Sequence, residues 1–65
     1  MNKKDIGKAI AERRKTLGIS QGRLAELSGV AVHTISNIET GRGNITLDTL
    51  LKVADTLGYR VSVGI

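Results

Sequence analysis

The sequence predicts an all-helical domain of four or five short helices followed by one C-terminal β-strand. Three observations lead there. Apolar residues recur every three to four positions between Ile6 and Leu57, glycines (Gly18, Gly29, Gly41, Gly58) interrupt that recurrence at short intervals, and after Gly58 the period drops to two. Sixty-five residues make one small domain, and a domain of that size buries only about 60% of the surface its unfolded chain exposes. A partner subunit would enlarge so small a core.

Asp5 stands where it can cap the first helix, whose apolar stripe is Ile6, Ala9, Ile10 and Leu17 and whose other face is charged, and Gly18 closes it. Ser20 is placed to cap a second helix carrying Leu24, Ala25 and Leu27 at helical spacing. Gly29 breaks the pattern and Val30, Ile35 and Ile38 resume it, on a third helix too close behind the second to be anything but crossed steeply against it. Ala25 is small where the third helix must approach, and Gly29 can take the positive φ that such a turn demands. Gly41 ends the third helix. Thr46 caps a fourth, with Asp48 in its first turn and Leu47, Leu50, Leu51, Ala54 and Leu57 on one face. Tyr59, Val61, Val63 and Ile65 then alternate with Arg60, Ser62 and Gly64, the pattern of a half-exposed strand. A lone strand leaves its backbone groups unpaired, so Tyr59, Val61, Val63 and Ile65 are expected to form a dimer interface by pairing with their copies across a two-fold axis. The expected organisation is a helical unit over 1–58 and a dimerisation segment over 59–65.

The run QGRLAELSGVAVHTISNIE, from Gln21 to Glu39, therefore has the spacing of a helix-turn-helix. It resembles the DNA-binding motif of the phage-repressor and Cro family, the Cro/C1-type or XRE regulators. The likeness extends outward. Arg14 and the stretch Leu17-Gly18-Ile19-Ser20-Gln21 are similar to the end of that family's first helix and its loop, Glu39-Thr40-Gly41-Arg42-Gly43 is similar to the E-x-G element that closes its third, and about Ile6 to Gly58 is covered. The resemblance implies a phage-repressor-like domain that binds a double-stranded operator as a homodimer and represses transcription, with Arg14 and Glu39 joined as a structural salt bridge between the first and third helices. Two departures weaken the match. Ala31 occupies the cap position where the family has Ser or Thr, and Gly22 replaces a better helix former. The segment after the fourth helix resembles the antitoxin subunits of HipB-like toxin–antitoxin pairs, which implies a different class of function, a protein-interaction module that neutralises a toxin protein. A phage or restriction-modification regulator is a further alternative, and neighbouring genes would discriminate among them.

A recognition helix presents its N-terminal turns to base edges in the major groove, and the outward residues there are Val32, His33, Ser36 and Asn37. Asn37 carries an acceptor and a donor side by side, which matches adenine; Val32 can pack on a thymine methyl; His33 can donate to guanine or to a phosphate. Phosphate or minor-groove contacts are a separate class that fixes position without reading sequence. Gln21 resembles the family residue that meets the backbone at the second helix. Thr34 and Arg42 come next, Arg42 standing free between two glycines, with Arg23 and Asn44 as further candidates.

Ten Lys and Arg against six Asp and Glu give a net charge of +4, which suits a partner made of phosphates. Tyr59 is the one aromatic residue. Single-stranded nucleic acid is usually held by stacking on several aromatics, so duplex DNA fits better. With no Cys and a single His there is neither a disulfide framework nor a metal-ligand cluster. No phosphate-loop fingerprint or nucleophile elbow appears either, so no cofactor and no catalysis are expected. Asn44-Ile45-Thr46 matches a glycosylation sequon but reads as a loop and helix cap. No secretory signal or membrane-length apolar run is present, and a reducing, cytoplasmic setting with no membrane partner is expected.

Overall fold

The computed structural model of the protein describes residues 2–60, and these form four helices: α1 (Lys3–Thr16), α2 (Gln21–Ser28), α3 (Val32–Thr40) and α4 (Leu47–Thr56). α1 and α2 both pack on α3, and α4 packs on α2. Ile10, Leu24, Ala25, Ile35, Ile38, Val53, Ala54 and Leu57 form the buried core, with Ile6, Ile19, Val30, Ile45 and Leu50 packed at its edge. None of the described helices is long and apolar enough to cross a membrane.

The caps of α2 and α4 are those the sequence indicates. Ser20 Oγ accepts from the Arg23 amide at 3.0 Å, and Thr46 Oγ1 accepts from the Thr49 amide at 3.2 Å. The cap of α1 is a correction. Asn2, not Asp5, opens that helix, and its side-chain oxygen accepts from the Asp5 amide at 2.9 Å, which leaves Asp5 inside the first turn. There it still faces the positive end of the helix dipole.

All four helices close the same way. A left-handed glycine follows each, and the amide of the next residue reaches back five positions along the chain: Ile19 to Arg14 O, Val30 to Ala25 O, Arg42 to Asn37 O and Tyr59 to Ala54 O. This explains why no strand starts at Tyr59. Its amide, at 2.9 Å from Ala54 O, is spent on ending α4, and Arg13 holds the same corner by donating from Nε to Leu57 O at 3.0 Å and lying over the Tyr59 ring at 5.8 Å. Among the described residues there is no strand, and Tyr59 and Arg60 belong to no element. Val61, Val63 and Ile65 lie outside the described residues.

Two expectations about the core are corrected. Ala9, Leu17 and Leu27 are exposed rather than core-facing. On α4 the apolar spacing fits two overlapping stripes, and the buried one runs through Leu50, Val53, Ala54 and Leu57, leaving Leu47 and Leu51 in solvent. Gly7 packs directly on α3: a Cβ there would lie 2.1 Å from Ile38 O. The absence of a side chain is what lets α1 and α3 approach so closely.

Candidate nucleic-acid interface

α2 and α3 are joined by Gly29-Val30-Ala31, in which Gly29 takes φ 71° and Val30 turns inward against the core. α3 is held from beneath by Ile35 and Ile38. On its other side Val32 is 52% exposed and His33 is exposed too, so the first turn of α3 projects an apolar and an imidazole side chain into solvent. No core contact accounts for an exposed valine there. Ala31 makes no side-chain cap bond, so the leading amides of α3 have no hydroxyl to satisfy them.

Thr34, Ser36 and Asn37 are half-buried. Asn37 faces the loop after α3, where it lines a cavity of about 210 Å³ with Ile38, Arg42, Gly43, Ile45 and Leu50. It therefore stands further back than Val32 and His33, beside Arg42. Arg42 itself is exposed at a distinctive point. After α1 and α2 the residue following the left-handed glycine is apolar and packs at the edge of the core, Ile19 and Val30, and after α4 it is Tyr59, with Arg13 over its ring. A hydrophobic residue is the usual occupant of that place. After α3 it is a guanidinium in solvent.

The pose of α3 is set by a polar cluster. Arg14 Nε lies 2.7 Å from Glu39 Oε2 and Arg14 Nη2 lies 3.0 Å from Oε1, a two-pronged pair, while Arg14 Nη1 donates to Ile19 O at 2.9 Å. Gln21 Nε2 adds a third donor to Glu39 Oε1 at 3.0 Å. Both charged side chains are well shielded, at 12% and 6% exposure. Burial pushes the Glu39 carboxyl up, but the hydrogen bonds from Arg14 and Gln21 and the charges of Arg14 and Lys15 outweigh it and hold the group below its ordinary value. The hydrogen bond to Glu39 likewise raises Arg14 above its own. The carboxylate that would otherwise repel phosphate is thus neutralised, and the Gln21 amide nitrogen is committed within the protein.

The remaining candidates are more loosely placed. Arg23 is exposed and pairs with Glu26 on its own helix. Asn44 Oδ1 accepts from Lys3 Nζ at 3.4 Å, and the same ammonium donates to Gly43 O at 2.9 Å. Lys3 escaped the sequence reading because its partner is 41 positions away. It ties the start of α1 to the loop that carries Arg42. Tyr59 shares a shallow depression with Leu51 and Arg60. Among the described residues no three His, Asp or Glu side chains are grouped to hold a metal ion.

Comparison with known proteins agrees with this geometry. A family model described as helix-turn-helix matches residues 10–63. An uncharacterized HTH-type transcriptional regulator of Haemophilus influenzae is 45% identical over 56 residues, covering 86% of this chain and 57% of that one. The chain spans from 19% to 57% of the length of the first curated relatives it matches. Among solved structures, the restriction-modification controller protein C.AhdI from Aeromonas hydrophila superposes with a TM-score of 0.80 at 33% identity, over 88% of this chain and 83% of that one. The clp gene regulator ClgR from C. glutamicum gives a TM-score of 0.82 at 30% identity, over 91% and 76%.

Proposed function

The chain belongs to the helix-turn-helix family, in its Cro/C1-type branch, and on that premise we propose that it is a DNA-binding transcriptional regulator that represses from a palindromic operator as a homodimer. The observation that carries the reading is the first turn of α3, where Val32 and His33 stand exposed on a helix anchored by Ile35, Ile38 and the Arg14–Glu39 pair. A helix so anchored and so bare at its N-terminus suits entry into the major groove. Val32, His33, Ser36 and Asn37 read base edges in this proposal. Arg42, with Gln21, Thr34, Arg23 and Asn44, meets phosphates or the minor groove, and the net charge of +4 supplies the non-specific attraction. Gln21 then acts through its carbonyl oxygen or its place at the helix start, since its amide nitrogen is bonded to Glu39. The toxin-neutralising alternative draws no support from the relatives named above, which are regulators.

Selection of binding sites from randomised duplex DNA tests the proposal. The expected result is an enriched palindrome whose half-sites lie about one helical turn, roughly 34 Å, apart. Recovery of no preferred sequence, with an affinity governed only by salt, would defeat sequence-specific reading; a single unrepeated half-site would defeat the homodimer.

A further inference from the structure

Beside the loop that carries Arg42, the cavity of about 210 Å³ has aliphatic walls: Ile6 from α1, Ile38 from α3, Ile45 from the loop and Leu50 from α4. Its rim carries charge of one sign. Lys3 and Arg42 both border it and are both exposed, while Asn37 adds a neutral amide. The Lys3 ammonium is held at that rim by donating to Gly43 O at 2.9 Å and to Asn44 Oδ1 at 3.4 Å, and an ammonium has a third proton to give. Among the described residues the ion pairs are Arg14–Glu39 and Arg23–Glu26, so no carboxylate neutralises either rim cation. Gly43 also leaves the Asn37 amide uncovered, since a Cβ there would lie 3.8 Å from Asn37 Nδ2. The depressions beside α4 differ: Asp48 and Asp55 border one and Asp5 the other, whereas no Asp or Glu borders this cavity.

Aliphatic walls behind a cationic rim select a ligand with an apolar body and one anionic head. Size narrows the choice. An apolar cavity of about 150 Å³ is enough to hold benzene, so this one takes a single ring, or a branched chain of similar bulk, with its head at the mouth. A carboxylate suits that head, because it is planar, meets a guanidinium through two parallel hydrogen bonds, and brings one charge, not two, against aliphatic walls. We infer that this cavity is a binding site for a small apolar carboxylic acid, whose carboxylate pairs with Arg42 and Lys3 and accepts a hydrogen bond from Asn37 Nδ2. Arg42 and Asn37 are also the residues proposed above to meet DNA, so the acid and the duplex compete for them. That competition rests on the DNA-binding reading, whereas the site itself does not.

Benzoate is the probe, titrated into the full chain at fixed ionic strength and followed by proton–nitrogen correlation spectra. Saturable shifts confined to residues around the cavity are expected, with a dissociation constant on the order of 1 mM for so small a ligand. Two analogues divide the recognition. Benzyl alcohol keeps the ring without the charge and acetate keeps the charge without the ring, and each should bind about ten-fold more weakly or worse. Arg42→Gln, at an exposed position, should weaken benzoate about ten-fold with an unaltered circular dichroism spectrum. Shifts scattered over the surface, shifts that acetate reproduces, or undiminished binding by Arg42→Gln overturn the site. Affinity for a selected duplex is then measured with and without saturating benzoate. The expected result is weaker duplex binding, and a loss of benzoate affinity by the same factor when the duplex is present. Unchanged duplex affinity with benzoate bound overturns the competition. A chain that binds benzoate but no duplex overturns the DNA-binding reading and leaves the site standing.

Discussion

Arg14 and Glu39 join α1 to α3 through two parallel N–H···O bonds of 2.7 and 3.0 Å, and Gln21 from α2 donates to the same carboxylate at 3.0 Å. α1, α2 and α3 therefore converge on one side chain. Removing it leaves a shielded guanidinium without its partner.

Glu39→Ala is expected to lower stability by about 2–3 kcal/mol and to weaken DNA binding as well. A double-mutant cycle with Arg14→Ala measures the coupling directly, and a coupling near zero would mean that the pair does not set the helix pose. The effect has a pH signature. Because the Glu39 carboxyl is held below its ordinary value in the folded chain, its contribution is complete above the ordinary carboxylate range and is lost as pH falls through the depressed folded value. Urea melts at pH 7 and pH 3 should show native and Glu39→Gln chains far apart at the first and closer together at the second.

Two glycine replacements should move stability in opposite directions. At Gly7 an added Cβ meets the Ile38 carbonyl oxygen at 2.1 Å, so Gly7→Ala forces α1 from α3 and is expected to cost about 1–3 kcal/mol or more. At Gly22 the nearest outside atom is Ser20 Oγ at 3.8 Å, and Gly22→Ala should add about 0.5–1 kcal/mol by helix propensity alone. Thermal melts of the pair decide it; equal shifts of one sign would refute the account of Gly7.

Ala31→Ser supplies the hydroxyl that the start of α3 lacks. The expected gain is about 1 kcal/mol in chemical denaturation. No gain would show that the leading amides are already satisfied by water.

Asn37 and Arg42 sit side by side around one small cavity, yet their replacements should differ in kind. Asn37→Ala is expected to relax the preference at one base pair per half-site, worth about 1–3 kcal/mol, while Arg42→Ala weakens binding to all sequences and reduces the salt slope by about one. Site selections and salt titrations on both variants separate the two effects. An unchanged selected motif for Asn37→Ala would move base reading onto Val32 and His33.

Much of this fold is legible in the sequence because its helix ends are encoded locally. Ser20 and Thr46 announce starts, and Gly18, Gly29, Gly41 and Gly58 announce stops, each through bonds that reach only a few residues. At the first start, Asn2 and Asp5 are both able caps, and sequence alone does not choose between them. On α4, two apolar stripes fit the same residues, and the packing on α2 selects Val53 over Leu47 and Leu51. Gly7 and Lys3 were illegible for the same reason: each matters through atoms more than 30 positions along the chain. The exposed valine at the start of α3 and the arginine between two glycines could be read directly, since neither has a structural reason to be where it is.

The bonds from Lys3 to Gly43 and Asn44 tie the loop after α3 to the first turn of α1. Helix ends are the first parts of a protein to open, in local unfolding events far below the cost of global denaturation. Two bonds from Lys3 join the first turn of α1 to the loop that carries Arg42, so opening of that turn, which Asn2 caps, is expected to loosen the loop with it. We expect Asn2→Ala to speed amide hydrogen exchange at Gly43 and Asn44 while leaving α2 protected; unaltered exchange in the loop would show that Lys3 does not couple them. Whatever steadies or loosens the first turn of the protein is thereby transmitted, without passing through the core, to a residue more than thirty-five positions later.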